Sequence, residues 1–320
     1  MISVVIPTLN AETHIRQLMK SLLSQTIPCE IIVVDSSSSD RTVEVAASYG
    51  AKTVTIDRMA FDHGGTRNLA VKASKGDTII FLTQDAVPAN EHLIENLVKP
   101  LHDQRIALSY GRQIAKSNVT PIERFARQFN YPRESLIKGK EQIESLGIKT
   151  FFCSNVCSAV RKREFEEMGG FPEKIIINED MLFAARLVMK GYRVAYEPSA
   201  VLYHSHNYSL REQFKRYFDI GVFFNRNRWI LTLGRPSGEG IRFVREGLRY
   251  LLRKRQWWWI PYGLLEALFR YCGYQLGLKE DKIPIRLKML ISMHRHFWKN
   301  CDTLFQREEE KHETKEIAGN

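Results

Sequence analysis

Long apolar runs, paired cysteines and a glycine-rich fingerprint are all missing from this chain, and each absence removes a class of protein. The aromatic and aliphatic stretch that starts at Trp257 is interrupted by Glu266 and Arg270, so it falls short of the ~20 residues that a membrane-spanning helix needs. The five cysteines, Cys29, Cys153, Cys157, Cys272 and Cys301, are scattered. Cys153 and Cys157 have no second pair or spaced histidines to complete a zinc site, and buried reduced thiols suited to the cytosol are expected. The opening MISVVIPTLN enters an apolar run with no basic segment before it, so no secretory signal peptide is expected. No Gly-x-Gly-x-x-Gly follows that run, which disfavours a dinucleotide-dependent oxidoreductase. Internal repeats are also lacking.

What the chain does have is positive charge in one place. The formal net charge is +11 over 320 residues. Residues 205–300 carry 19 Lys and Arg against 7 Asp and Glu, whereas residues 1–204 carry 25 against 23. A basic region of this kind suits anionic lipid, phosphate-bearing substrates or nucleic acid. No nucleic-acid motif accompanies the charge, so nucleic acid is not expected as a partner.

The first hundred residues alternate β-branched runs with helical stretches. Residues 2–6, 30–35, 52–56 and 78–82 read as strands, and 11–24, 42–49 and 66–74 as helices. That alternation predicts an α/β fold with a mostly parallel, Rossmann-like sheet flanked by helices. In open α/β sheets ligands bind beyond the carboxyl ends of strands, and three such ends are polar here: Pro7-Thr8, Asp35-Ser36 and Thr83-Gln84-Asp85. Residues 133–149 lack periodicity and predict a mobile loop over the crevice. Helices are expected at 162–168 and 179–190, and strands at 193–196 and 200–203. The organisation expected is a catalytic domain over 1–208 (halves 1–112 and 113–208), a basic helical extension over 209–300, and a disordered tail over 301–320.

Each chemistry-bearing cluster has two readings. Asp35 either offers an acceptor carboxylate to a pyrimidine N–H or a ribose hydroxyl, or belongs with Ser36–Ser39 and Asp40 to a loop that caps the next helix. Asp85 is either a ligand for a divalent cation bridging two phosphates or part of the turn Asp85-Ala86-Val87-Pro88. In Phe61-Asp62-His63-Gly64-Gly65-Thr66-Arg67-Asn68 the glycines allow close backbone approach, Thr66 can cap a helix whose N-terminus favours phosphate, and Arg67 adds a cation. The alternative is an ordinary strand-to-helix turn. Glu179-Asp180 is either an acidic first helical turn or the source of a general base. His204 and His206 alternate along an extended segment and so point the same way. They are metal ligands, with His206 the one expected beside Asp85, or else exposed, core or pH-sensitive histidines.

Taken in order from Ile2 to Tyr217, these residues resemble the inverting glycosyltransferase family 2, on the GT-A fold. Val4-Val5-Ile6-Pro7-Thr8-Leu9-Asn10 is similar to that family's opening strand and nucleotide-binding loop, and Val33-Val34-Asp35-Ser36 to the segment whose Asp binds the base. Thr83-Gln84-Asp85-Ala86 stands where the family carries Asp-x-Asp, with Thr83 in place of the first acid. Asn178-Glu179-Asp180 resembles its Glu-Asp motif. The Phe61–Asn68 cluster and His204-Ser205-His206-Asn207-Tyr208-Ser209 are similar to the rhamnosyltransferase branch.

The resemblance implies Asp180 as catalytic base, and Pro7, Thr8, Asn10, Asp35, His63, Arg67 and Gln84 at the nucleotide and donor sugar. It implies Asp85 and His206 on a divalent cation, Mg²⁺ or Mn²⁺. Glu179, Gln213 and Arg216 would meet the acceptor. Gln213-Phe214-Lys215-Arg216-Tyr217 resembles the Gln-x-x-Arg-Trp box of processive synthases, but it also reads as one stretch of an amphipathic helix. The implied reaction moves a sugar, L-rhamnose from dTDP-L-rhamnose, to a lipid-linked saccharide in bacterial surface polysaccharide such as O-antigen. Alternatives are a UDP- or GDP-hexose donor, or a non-catalytic nucleotide-sugar-binding partner. A sugar-1-phosphate nucleotidyltransferase is disfavoured, because Thr8-Leu9-Asn10-Ala11-Glu12 replaces the Gly-rich basic loop it needs.

Arg242, Arg245, Arg249, Arg253, Lys254 and Arg255 lead into Trp257-Trp258-Trp259. Arg-rich helices beside tryptophans suit an interfacial position on anionic headgroups. Helices packed on the catalytic domain with a solvated basic face are the other reading. The location expected is cytoplasmic, peripheral on the inner face of the plasma membrane.

Overall fold

A computed structural model describes residues 1–234 and 238–299, and the expected tail at 301–320 lies outside them. The strands are β1 (Ile2–Thr8), β2 (Glu30–Asp35), β3 (Lys52–Thr55), β4 (Thr78–Leu82), β5 (Val87–Pro88), β6 (Ile106–Ile114), β7 (Leu136–Lys138), β8 (Cys157–Arg161) and β9 (Arg193–Tyr203). They form one sheet in the order β3-β2-β1-β4-β8-β6-β9-β5, with β7 added on β9.

The parallel arrangement expected holds for β1 to β4. Beyond them the sheet is mixed: β8 runs antiparallel to both β4 and β6, β5 and β7 run antiparallel to β9, and β6 pairs with β9 in parallel. Strand direction in this half is set by partners distant in sequence, which local periodicity does not report.

Successive residues on a strand point to opposite faces, and the apolar runs of β1, β2 and β4 divide accordingly. Val5, Ile32, Val34, Ile79 and Phe81 enter one core. Val4, Ile6, Ile31, Val33, Ile80 and Leu82 enter the other. Ile15, Leu18, Met19 and Leu22 of the helix Glu12–Leu23 cover the second face. Residues of the helices His63–Ala73, Glu179–Lys190 and Leu210–Arg226 cover the first. Full burial of side chains of this size contributes about 1.5–3 kcal/mol each, which explains why the strands read as unbroken Val/Ile runs.

Two local features position the site. The β6–β9 register slips between Gly111, opposite Glu197, and Arg112, opposite Val201. Gly111 is required there, because a Cβ would lie 2.6 Å from the Ala200 carbonyl oxygen. This bulge re-aims the end of β9, which runs directly into His204.

The second feature corrects an expectation. Residues 133–149 form β7, a turn at Lys140–Gln142, the short helix Ile143–Leu146 and the start of the turn Gly147–Phe151, rather than a loop. Lys138 anchors the segment from inside: its buried ammonium donates to Tyr110 Oη (3.1 Å), the Lys149 carbonyl (3.3 Å) and the Phe152 carbonyl. Burial pushes its pKa down to about 7.

Past Ser209 the long helices expected are present. Ser209 and Glu212 form a capping box at the head of Leu210–Arg226, which satisfies two otherwise unpaired N–H groups. That helix crosses Ile260–Gly277 at backbone distance: a Cβ on Gly277 would sit 2.1 Å from the Phe218 carbonyl oxygen. Phe218 and Trp298 share a core with β1 and β4, so packing is continuous across residue 208. Among the described residues no helix is long and apolar enough to cross a membrane. Cys153 and Cys157 are buried free thiols as expected, whereas Cys272 is exposed.

Candidate active site

Three loops hold non-glycine residues in left-handed backbone: Asn10 (φ 48°) and Ser37 (φ 57°) just past strand ends, and Asn178 (φ 65°) at the head of the helix Glu179–Lys190. Such residues are uncommon and concentrate where a side chain must be aimed. The first two lie together. Thr8 Oγ1 donates to Asp35 Oδ1 (2.9 Å), and Ser38 donates its hydroxyl to Oδ1 (2.5 Å) and its N–H to Oδ2 (2.8 Å). Asn10 Oδ1 accepts the Ser39 N–H (2.9 Å). Gln84 clamps the loop after β1 from the end of β4: its Oε1 accepts Leu9 N–H (2.8 Å) and its Nε2 donates to the Leu9 carbonyl (3.2 Å). Pro7, Thr8, Asn10, Asp35 and Gln84 are therefore gathered at one place. The Asp35 carboxylate organises the Ser36–Ser39 loop and lies at the carboxyl end of β2.

Asp85, His204 and His206 converge at the ends of β4 and β9. Asp85 Oδ2 lies 3.5 Å from His204 Nε2 and 3.4 Å from His206 Nε2, and the two imidazole nitrogens are 3.0 Å apart. Ligand atoms held about 2.1 Å from one ion are separated by about 3.0–3.4 Å, so the spacing fits a single cation. His204 joins the expected pair.

Its tautomer is fixed by Gln113. Gln113 Nε2 donates to Tyr131 Oη (2.6 Å) and Ser154 Oγ (3.0 Å), so its Oε1 is an acceptor; it takes Arg127 Nη1–H (2.7 Å) and His204 Nδ1–H (2.8 Å). The His204 Nε2 lone pair is thus left available to a metal ion, the arrangement that an outer hydrogen-bonding partner gives a histidine ligand. Burial would raise the Asp85 carboxyl, but His204 and His206 outweigh that and hold it well below the usual carboxylate range. Burial pushes His204 down, and burial with His204 beside it pushes His206 down to about 4. One carboxylate and two neutral imidazoles are the protonation states that bind a divalent ion. Two nitrogen ligands favour Mn²⁺ over Mg²⁺, which prefers oxygen throughout.

The acid pair lies at the head of Glu179–Lys190. Asn155 holds both members, donating its backbone N–H to Asp180 Oδ2 (3.0 Å) and its Nδ2 to Glu179 Oε1 (3.1 Å). Glu179 is buried and faces Arg67, whose Nη1 lies 3.3 Å from Oε1. Burial would raise Glu179, but Arg67 and then His63 outweigh it and keep it below its ordinary value. Asp180 behaves in the opposite way. Burial first, and the Glu179 charge second, push its carboxyl up to about 7, against the Asn155 and Met181 N–H groups. It retains partial exposure, the route by which a hydroxyl would reach it.

Arg67 therefore serves the acid pair: it is buried, and Nη1 also donates to the His63 carbonyl (2.8 Å). The His63 ring meets Phe61 and His294 edge-on at 5.0 and 5.1 Å, beside a cavity of about 420 Å³ also lined by Ile175, Ile176 and Met293. Gln213 is buried and donates to Glu266 Oε1 (3.2 Å) on the crossing helix, so it supports packing between the helices. Arg216 lies over Tyr208, which stacks on His206, and makes no ion pair among the described residues.

Sequence reasoning missed Gln113, Ser154 and Asn155. The adjacent Ser154 and Asn155 join the cation cluster to the acid pair, and the signal available was a buried polar residue inside β6 and a polar pair just before β8.

A carboxyl poised near neutral pH and tied to a cation cluster is what moving a sugar off a nucleoside diphosphate requires, and the chain is a nucleotide-sugar-dependent glycosyltransferase with the GT-A fold. It belongs to glycosyl transferase family 2, which matches residues 3–169, just over half of its length. It is 44% identical over 303 residues to the O-antigen chain rhamnosyltransferase RfbN of Salmonella typhimurium, covering 93% of this chain and 96% of that one. It is 40% identical, with the same coverage, to the O-antigen chain rhamnosyltransferase WbaN of Salmonella anatum. Among solved structures, the mannosyltransferase PcManGT from Pyrobaculum calidifontis, in complex with GDP-Man and Mn²⁺, is similar in fold (TM-score 0.59, 16% identity, 88% of each chain).

Proposed function

We propose that this enzyme transfers L-rhamnose from dTDP-L-rhamnose, with inversion, to a hydroxyl of a lipid-linked saccharide in O-antigen synthesis, acting on the cytoplasmic face of the plasma membrane. The observation that carries the rhamnose reading is the 44% identity that runs nearly end to end with an O-antigen chain rhamnosyltransferase.

In this reading Asp180, raised to about 7, takes the proton of the acceptor hydroxyl as its oxygen bonds to the anomeric carbon. The bond from that carbon to the diphosphate breaks on the opposite face, and its electron pair leaves with dTDP. One displacement inverts the centre, so a β-linked donor gives an α-rhamnoside. Asp85, His204 and His206 would hold a divalent cation, which supplies positive charge to the departing diphosphate. Arg216, close to His206 through Tyr208, is placed to add a second positive charge. Pro7, Thr8, Asn10, Asp35 and Gln84 would shape the nucleoside site. Glu179, with Arg67 and His63 around it, tunes Asp180.

The test is nucleoside diphosphate release from a panel of dTDP-rhamnose and UDP-, GDP- and dTDP-hexoses, with Mn²⁺, Mg²⁺ or chelator, and a lipid-linked oligosaccharide extract as acceptor. Metal-dependent release from dTDP-rhamnose alone is expected, and Asp180→Asn should lower turnover by about 10²–10⁴-fold. Release from another donor alone would remove rhamnose, and near-normal turnover by a folded Asp180→Asn would remove Asp180 as the base.

A further inference from the structure

The helix Ile260–Gly277 is oriented against the usual pattern. Its inner side is small and polar: Gly273 and Gly277 press on the backbone of Leu210–Arg226, and Glu266 is buried between Gln213 and Arg270. Its outer side is apolar along its whole length. Leu264 is 46% exposed, Leu268 53% and Tyr271 62%, with Leu265 and Leu276 beside them. No exposed residue between 260 and 277 is charged. The glycine contacts fix the helix about its axis, because rotating the leucines inward would drive side chains into the Phe214 and Phe218 carbonyl oxygens.

At the N-terminal end of this stripe stand Trp257 and Trp258, 64% and 59% exposed. Immediately before them come Arg253, Lys254 and Arg255, all exposed and without an ion pair among the described residues. Earlier in the helix Glu239–Arg253, which ends on the first of these cations, the arginines are paired: Arg242 with Glu239, and Arg249 with Glu246. The three unpaired cations therefore cluster where the indoles are. A contiguous exposed apolar patch marks an interaction surface, and indoles beside basic groups suit the boundary between acyl chains and anionic headgroups.

We propose that Trp257, Trp258 and the Leu264–Leu268–Tyr271 face insert into the surface of an anionic lipid bilayer, with Arg253, Lys254 and Arg255 on headgroup phosphates. This gives the membrane-surface reading above its residues and depends on that part of it alone. It also explains the layering. The site's Arg216 lies on Leu210–Arg226, which crosses Ile260–Gly277, and packed helices lie about 8–10 Å apart. A docked bilayer would hold a lipid-linked acceptor one helix layer from the site.

The test is co-sedimentation of the full chain with phosphatidylcholine vesicles, with and without phosphatidylglycerol. Binding to the anionic vesicles alone, weakening as salt rises, is expected. The triple variant Arg253→Gln/Lys254→Gln/Arg255→Gln should lower vesicle affinity by about a hundredfold, and Trp257→Ser/Trp258→Ser by about tenfold or more. Both variants should keep wild-type donor turnover on a lipid-free saccharide acceptor. That assay fails independently if the donor and acceptor reading is wrong. No vesicle binding by the wild-type chain, equal binding to neutral and anionic vesicles, or full binding by the triple variant would overturn the proposal. So would a solution dimer that Leu264→Gln/Leu268→Gln dissolves in a chain that ignores vesicles, since the face would then belong to a second copy.

Discussion

Glu179→Gln separates two consequences of one buried charge. Asp180 sits near 7 because burial and then the Glu179 carboxylate disfavour its ionised form. Glutamine keeps the shape and can still accept the Asn155 amide, but it removes the second cause and leaves the Arg67 cation facing Asp180. The Asp180 pKa should fall by about one unit or more, and each unit corresponds to about 1.4 kcal/mol.

In the proposed mechanism the base must be deprotonated, so activity rises with pH through its pKa. The acid limb of kcat/KM is expected to move from near pH 7 towards 6 or below, followed as nucleoside diphosphate release between pH 5 and 9. Stability should move the other way. Arg67 and Glu179 are both buried, and removing one partner of such a pair costs about 3–5 kcal/mol, visible as a lower Tm at pH 7.

The signs of the two acids differ. The stabilisation from Glu179, whose pKa is lowered, is present above its unfolded value and lost as pH falls through the folded one. That from Asp180, whose pKa is raised, is present at low pH and lost as pH rises through about 7. Restoring Tm with Arg67→Met/Glu179→Gln would place the cost in the orphaned guanidinium. An acid limb that stays at the wild-type pH would refute the coupling between the two acids. An unchanged Tm would refute the buried pair.

Two further outcomes follow from contacts away from the acids. Gln113→Leu leaves Asp85, His204 and His206, the proposed cation ligands, in place but frees the His204 tautomer, and Mn²⁺ affinity, read by electron paramagnetic resonance of free Mn²⁺, should fall about 10–100-fold; unchanged affinity would show that Gln113 does not set the ligand. Gly277→Ala puts a methyl where the Phe218 carbonyl oxygen already lies 2.1 Å away, so the two long helices must separate and thermal melting should report a loss of about 3 kcal/mol.

Which parts of this fold could be read from the sequence depended on whether the cause was local. Strands β1, β2 and β4 were legible because burial on both faces leaves a run of apolar, mostly Val and Ile, residues in each. The antiparallel half was not, because β8 is placed by pairing with β4 and β6, which no window of sequence contains. Residues 133–149 were misread as a loop because a lysine reads as solvent, whereas Lys138 is buried against carbonyls at 149 and 152. At the site, alternation was enough to aim both histidines one way. The choice between them was not legible, since the tautomer of His204 is set by Gln113, 91 residues away. Arg67 shows the same limit: an arginine after two glycines reads as a phosphate ligand, and only the fold reveals Glu179 across from it.

The C-terminal helices pack against the proposed site. The family match ends at residue 169, yet Glu179, Asp180, His204, His206 and Arg216 all lie beyond it. The ring of His294, from the far end of the chain, closes on His63, and Asp219 anchors that end by accepting the Met293 N–H (2.9 Å). Burial is what lifts Asp180 and what concentrates the Arg67–Glu179 interaction, and part of that burial comes from residues near 294 packed against the His63 side of the pair. A base that must be desolvated to sit near 7 needs walls, and for the proposed base the residues near 294 build one of them. The same Leu210–Arg226 helix carries Arg216 on one side and receives Gly273 and Gly277 on another. Under the two proposals, docking at Trp257–Tyr271 and base catalysis at Asp180 meet across this one helix, so the packing that tunes the base would also bring a lipid-borne acceptor to it.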